Sequence, residues 1–172
     1  MENDLVFIVC LAIFIILMTM FWPRFVGGAE WAPASMKIVR KMLRMAKVSR
    51  KDIVYDLGCG DGRFVLTALR EFNAKSAVGI EIDPLRCFFS KIRTRKFKNA
   101  KIKFGSFVKK DLNEATVITC FLRQKTNDSL REKLSQLKPG TKIVSYIWKF
   151  SGWKPVKADK KNKIYMYEIG KS

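Results

Sequence analysis

The run Ile53-Val-Tyr-Asp-Leu-Gly-Cys-Gly-Asp-Gly-Arg63 leaves this chain few ways to fold. Ile53 to Leu57 is a short apolar stretch of the kind that makes a buried strand. It empties into glycines at alternate positions, Gly58, Gly60 and Gly62, and a helical pattern resumes at Phe64. Without Cβ atoms these positions let the backbone turn tightly and approach a ligand closely. The helix that follows opens with N–H groups that lack intrahelical partners. Nineteen residues after Gly62, closing the apolar run Ala77-Val-Gly-Ile80, stands Glu81. A carboxylate at the tip of the second strand of a doubly wound sheet is placed to hold ribose hydroxyls.

From residue 53 onward strand and helix patterns alternate. Strands are predicted over 53–57, 77–82, 101–104, 115–121, 142–150 and 164–169. Helices are predicted over 64–72 and from 84 to about 96, the second with Asp83 as N-cap and Pro84 in its first turn. A further helix, capped by Asp128, carries Leu130, Leu134 and Leu137 on one face and stops at Pro139-Gly140. Such alternation predicts an α/β fold with a mostly parallel sheet covered by helices on both faces. The last two strands are joined by the basic turn Lys154–Lys163 with no helix between them, so they are expected to form an antiparallel C-terminal edge pair. Ahead of the sheet, Ser35 is placed to cap a helix over 36–47 with Val39, Met42, Leu43 and Ala46 on one face and Lys37, Arg40, Lys41, Arg44 and Lys47 on the other.

Charge bears on partners. The 172 residues hold 34 Lys and Arg against 15 Asp and Glu, a net charge of +19. With Glu2 and Asp4 the sole charges before Pro23, the cationic excess lies in the rest of the chain. Such a surface suits anionic partners: nucleic acid, acidic protein patches or anionic lipid headgroups. The chain has no histidine, which removes the usual neutral-pH general base and the commonest zinc ligand. Cys10, Cys59, Cys87 and Cys120 are scattered without a C-x-x-C pair and argue for no metal site.

Leu5 to Trp22 is an unbroken run of 18 uncharged, mostly apolar residues, followed by Pro23-Arg24. As a helix it rises about 27 Å, against a hydrocarbon core of roughly 30 Å. The acidic flank Glu2 and Asp4 does not suit a cleaved signal peptide. The expectation is an uncleaved transmembrane helix. Basic residues on its C-terminal side predict a single-pass membrane protein with its domain in the cytoplasm.

The glycine pattern is neither a G-x-G-x-x-G fingerprint, since Arg63 stands where the third glycine would fall, nor a P-loop, since no G-K-[S/T] follows. Asp56-Leu-Gly-Cys-Gly-Asp-Gly62 resembles motif I of the class I S-adenosylmethionine (SAM) methyltransferases, which are Rossmann-like. Trp31-Ala-Pro-Ala-Ser35 with the helix after it, Leu137-Lys-Pro-Gly140 and Gly152-Trp-Lys-Pro155 narrow the resemblance. Together they are similar to the small protein-lysine methyltransferases, a family with broad-specificity archaeal members and mitochondrial members that act on the ATP synthase c subunit and the adenine nucleotide translocase. Three segments are expected: residues 1–24 as anchor, from the apolar run, 25–34 as linker and cofactor-covering loop, and 35–172 as the methyltransferase domain, the resemblance covering about residue 31 to the C-terminus. The resemblance implies SAM as cofactor, with Asp56, Gly58, Gly60 and Gly62 along its methionine part and Glu81 on its ribose. Ser106 and Phe107, after the third strand, would meet the adenine, and Trp31 and Pro33 would belong to the covering loop. Phe121 would lie beside the transferable methyl, with Trp148 and Trp153 as further walls of a lysine channel. Asp61 and Asp111 are candidates to orient the amine.

The function this predicts is methyl transfer to the ε-amine of a protein lysine by a membrane-anchored enzyme. An RNA methyltransferase, motivated by the cationic surface, is the alternative. A SAM-binding scaffold without catalysis is a third reading, motivated by Ser106 in place of the usual acid or amide and by Ile147 where the family often has an acid.

Overall fold

Strands that are apolar along their whole length, not at alternate positions, have to be covered on both faces, and the centre of this fold obeys that rule. The structure, a computed structural model, describes residues 2–25 and 32–171. Strands β1 (Ile53–Leu57), β2 (Ser76–Glu81), β3 (Ala100–Phe104), β4 (Val117–Cys120), β5 (Lys142–Tyr146), β6 (Lys157–Asp159) and β7 (Ile164–Glu168) form one sheet in the order β3-β2-β1-β4-β5-β7-β6. The first five are parallel, and β7 runs antiparallel to both β5 and β6. Chain order reverses between β1 and β4, which opens a crevice beyond the carboxyl ends of the strands.

Among the described residues five helices surround this sheet or precede it: α1 (Glu2–Phe25), α2 (Met36–Met45), α3 (Arg63–Arg70), α4 (Pro84–Thr94) and α5 (Gln124–Ser135). On one face, Val39, Met42 and Leu43 of α2 join Phe64, Val65, Ala68 and Leu69 of α3 over Val54, Ala77, Val117 and Val144. On the other, Leu130 and Leu134 of α5 pack with Leu112, Ala115, Tyr55, Ile118, Ile143 and Tyr167. The caps form as the sequence predicts. Ser35 Oγ accepts from Ile38 N–H (3.4 Å), and the Asp83 carboxylate accepts from Arg86 N–H (2.9 Å) with Pro84 opening α4.

Four expectations are corrected. Among the described residues no helix is long and apolar enough to cross a membrane, so the N-terminal transmembrane helix and the single-pass membrane location are not upheld. The helix that carries the uncharged stretch Leu5–Trp22 also takes in Glu2, Asp4 and Arg24. Asp128 does not cap α5, which begins a turn earlier. Its carboxylate instead accepts from Ser151 N–H and the Gln124 side chain, both at 2.9 Å. The fifth strand stops at Tyr146 rather than running to residue 150, because Ile147 turns to a φ of +68°. Finally, the turn 154–163 contains β6, and β6 rather than β7 is the outer strand on that side.

Candidate functional site

The glycine loop joins β1 to α3 and takes the conformation its composition allows. Gly58, Gly60 and Gly62 have φ of +76°, +53° and +76°, in the left-handed region that side chains disfavour. Gly58 and Cys59 N–H both donate to the Ile80 carbonyl, which fastens the loop to the tip of β2. Cys59 turns inward, and its Sγ fills the space where a side chain at Gly79 would begin: a Cβ there would lie 2.6 Å from it. The sequence therefore needs glycine at 79 as well as in the loop. Burial in this apolar contact pushes the Cys59 thiol well above its ordinary pKa, so it packs as a neutral group.

Glu81 is 5% exposed and holds the centre of the site. Its carboxylate accepts from Gly60 N–H across the loop (2.7 Å) and from Ile82 and Asp83 N–H of its own turn (2.9 Å each). A carboxylate offers about four acceptor positions, so these three donors leave one, and the bond to Gly60 ties the glycine loop to the tip of β2. Asp56, under the loop, is 3% exposed and accepts from Thr119 Oγ1 at 2.8 Å. Burial, with the nearby charge of Glu81 adding to it against the Thr119 hydrogen bond, raises the Asp56 pKa to about 7.

A second network ties the loop to the segment before α2. The Arg63 guanidinium chelates Asp61 (2.8 and 2.9 Å) and donates to the Ala34 carbonyl at 2.5 Å. Arg93 of α4 also grips the Asp61 carboxylate and donates to its carbonyl at 2.9 Å. Burial raises the Asp61 pKa, but the two guanidiniums outweigh it and hold the carboxyl below the usual range. Asp61 is thus a structural clasp beside the crevice, and Pro33 stands exposed next to the anchored Ala34. Trp31 lies outside the described residues.

Across the crevice, Leu122 closes on Gly58, where a Cβ would meet its Cδ2 at 3.4 Å. Phe121, at the tip of β4, packs its ring against Tyr146 at the tip of β5, centroids 4.7 Å apart. Nothing in the sequence pattern singles out Tyr146. Its strand-end position beside Phe121 is the signal that finds it, once the register Cys120 to Ser145 is known. Beyond it, the Tyr146 carbonyl accepts from Trp148 N–H around Ile147, the geometry of the rare, strained γ-turn. Asn127 holds that turn by donating to Ser145 Oγ (3.1 Å) and the Trp148 carbonyl (3.0 Å).

The remaining expected residues are not all brought together. Trp148 is 44% exposed beside the γ-turn. Trp153 stacks on Phe150 and meets Tyr167 edge-on in the α5-side cluster, whereas Phe121 packs against the α2–α3 side. Ser106 Oγ accepts from Val108 N–H (3.3 Å), and Phe107 packs against the α5-side cluster, with its carbonyl accepting from Lys133. Asp111 is exposed and closes a local turn on Asn113 N–H.

The family described as the ANTKMT methyltransferase domain matches residues 56–157, from the acid that opens the glycine loop to the start of β6. The chain belongs to this methyltransferase family. A protein-lysine N-methyltransferase of Saccharolobus islandicus is 43% identical over 85% of this chain and 97% of its own length. A lysine N-methyltransferase of Xenopus laevis, named for the ATP synthase c subunit, is 25% identical over 81% of this chain and 63% of its own. Among solved structures, one titled as an RNA methyltransferase from Salinibacter ruber in complex with S-adenosyl-L-homocysteine is 35% identical. It superposes with a TM-score of 0.77 over 80% of this chain and 94% of its own.

Proposed function

We propose that this enzyme transfers a methyl group from SAM to the ε-amine of a lysine in a protein. The observation that carries the reading is the Glu81 carboxylate at the carboxyl end of β2, held by three backbone N–H groups, one of them Gly60 of the glycine loop, with an acceptor position left over. The acceptor rests on the Saccharolobus islandicus and Xenopus laevis relatives, whose names specify lysine. SAM is the methyl donor, and bound in this crevice it supplies an electrophilic methyl on a sulfonium.

The residues of the site suit that donor. Glu81 has a free acceptor position and a second, now taken by Gly60 N–H, for a vicinal diol. Gly58 and Gly60 leave the loop without side chains where the ligand must come close. Asp56 places a titratable carboxyl where an ammonium and a sulfonium would favour its ionised form. The clasp of Arg63 and Asp61 on the Ala34 carbonyl holds the segment of Pro33 against the loop. On the acceptor side, Phe121 and Tyr146 wall the crevice, with Trp148 at its rim. An amine with an ordinary pKa of about 10.4 has to shed a proton before it can attack. Aromatic walls that exclude water favour its neutral form, and ring faces tolerate a methylated cation by roughly 0.5–2 kcal/mol. Trp153, stacked behind the rim, supports it.

Incubation of the purified chain with methyl-labelled SAM and a protein extract tests this reading. Label is expected on lysine by mass spectrometry and absent with Glu81→Ala enzyme. A second reading, RNA methylation, is favoured by the name of the Salinibacter ruber structure and by the +19 charge. Label confined to nuclease-sensitive product would establish it and end the first.

A further inference from the structure

Helix α4 is amphipathic in the wrong sense. A helix lying on a sheet ordinarily turns its large apolar residues inward. Here the buried residues of α4 are Cys87, Ser90 and Thr94, while Leu85, Phe88, Phe89 and Ile92 are 43%, 58%, 51% and 41% exposed. The inward face has its own explanation. Ser90 Oγ donates to the Gly60 carbonyl at 2.5 Å, and a Cβ on Gly62 would lie 3.5 Å from both Ser90 Cβ and Thr94 Cγ2. Small hydroxyl residues let α4 close down on the glycine loop. Nothing in that packing accounts for the outward stripe.

At about 100° per residue, positions 85, 88, 89 and 92 fall within one arc of roughly 100°. Lys91 and Arg95 flank it on one side, Arg86 and Arg93 on the other. Phe104, at the end of β3, is 51% exposed and by strand alternation shares the sheet face of Ile102, the face that α4 covers. β3 is also the outer strand of the sheet, its far edge unpaired among the described residues. A contiguous exposed apolar patch rimmed by polar groups marks an interaction site.

We infer that the outer face of α4 with Phe104 is the docking surface for an acidic protein segment carrying apolar anchors. In the setting of the proposed lysine transfer, on which the inference rests, that segment belongs to the substrate. Charge selects the sign of the partner: a second copy of this chain would bring cation against cation, whereas acidic side chains pair with Lys91 and Arg95, Arg93 being already engaged by Asp61. The free edge of β3 selects a polypeptide, which can add main-chain hydrogen bonds there as no lipid can. The stripe starts two residues after Asp83, whose N–H holds Glu81, so a segment seated on it lies beside the crevice.

The test uses the full chain and a synthetic peptide in which leucines alternate with glutamates, so that as an added strand it shows leucines on one face and glutamates on the other, with a lysine beyond its end. A version with glutamine for glutamate, poly-uridine and anionic phospholipid vesicles serve as comparisons. Direct binding is measured by fluorescence anisotropy without SAM, and transfer by kcat and KM. Tight, salt-sensitive binding of the acidic peptide is expected, at least about tenfold weaker for the glutamine version. Phe88→Ser with Phe89→Ser, both at exposed positions, is expected to raise the peptide Kd and KM at least about tenfold, leaving the KM for SAM and the Tm unchanged. Lys91→Glu with Arg95→Glu is expected to do the same through charge alone. Equal peptide binding by wild type and variants overturns the inference. So does an effect of the variants confined to poly-uridine, to vesicles or to self-association in sedimentation. A peptide bound through the stripe yet never methylated upholds the surface and counts against lysine as the acceptor.

Discussion

On the β1–β2 side of the crevice the left-handed turns of the loop fall on glycines, and the central carboxylate receives three backbone donors. On the β4–β5 side a β-branched residue, Ile147, carries a φ of +68°, and the Asn127 side-chain oxygen is buried with no partner among the described residues. The first rim is relaxed, its carboxylate held by three donors with one acceptor position to spare. The second stores strain, which costs on the order of 1–3 kcal/mol for a non-glycine residue in such a conformation. A rim bonded in advance suits a ligand that is the same in every turnover. The strained rim lies on the side of Phe121 and Tyr146, where the proposed acceptor enters.

The largest effect expected falls on the relaxed rim. Glu81→Ala is expected to weaken SAM binding at least about 100-fold, or about 2.7 kcal/mol. It also lowers Tm, because Gly60, Ile82 and Asp83 N–H lose their common acceptor; calorimetry and thermal melts read the two separately. Unchanged SAM affinity would remove Glu81 from the site. Gly79→Ala follows. Its Cβ would sit 2.6 Å from Cys59 Sγ and 2.9 Å from Ile102 Cδ1, and such overpacking costs about 1–3 kcal/mol in denaturant melts. Cys59→Ala in the same chain is expected to recover part of the loss.

Asp56 gives the same rim a pH signature. Its folded pKa, about 7, lies above the ordinary 3.8, so the native state keeps a proton that the unfolded chain releases. That stability is full below about pH 4, is lost as pH rises to about 7, and is level above. Asp56→Asn is expected to flatten the dependence over this window, and SAM affinity of the parent to rise with pH up to about 7. A pH profile identical in parent and variant would show that Asp56 does not titrate there. The smallest stability change belongs to the strained rim. Ile147→Gly relieves the left-handed turn but loosens the unfolded chain, for a net change within about 1 kcal/mol. A fall in kcat with the KM for SAM unchanged would tie the strain to the acceptor side, while an unchanged kcat would make it incidental.

Legibility in the sequence follows the same division. The glycine loop, Glu81, the Ser35 and Asp83 caps and four of the parallel strands sit in contiguous stretches whose residue types dictate local conformation. The contacts of Arg63, Thr119, Ser90 and Tyr146 are invisible at that level because their partners are far along the chain: Ala34 lies 29 residues from Arg63, and Asp56 lies 63 from Thr119. Ile147 reads as one more strand residue, and only the turn in which the Tyr146 carbonyl accepts from Trp148 N–H around it shows why the strand stops there. The run Leu5–Trp22 misleads in the other direction: uncharged along its length, it reads as a span, yet no described helix is long and apolar enough to cross a membrane. The inverted faces of α4 are visible as a pattern, but the pattern alone points the apolar stripe at the core.

The sequence by itself determined that a strand, a glycine turn and a helix would frame a ligand, with a carboxylate at the next strand tip. It could do so because φ freedom, capping and apolar runs act over a few residues. Only the tertiary structure decided which aromatics pack together at the strand tips, where β5 ends, and that α4 presents its phenylalanines to solvent. Those outcomes depend on which residues distant in sequence come to touch, and no local rule carries that information.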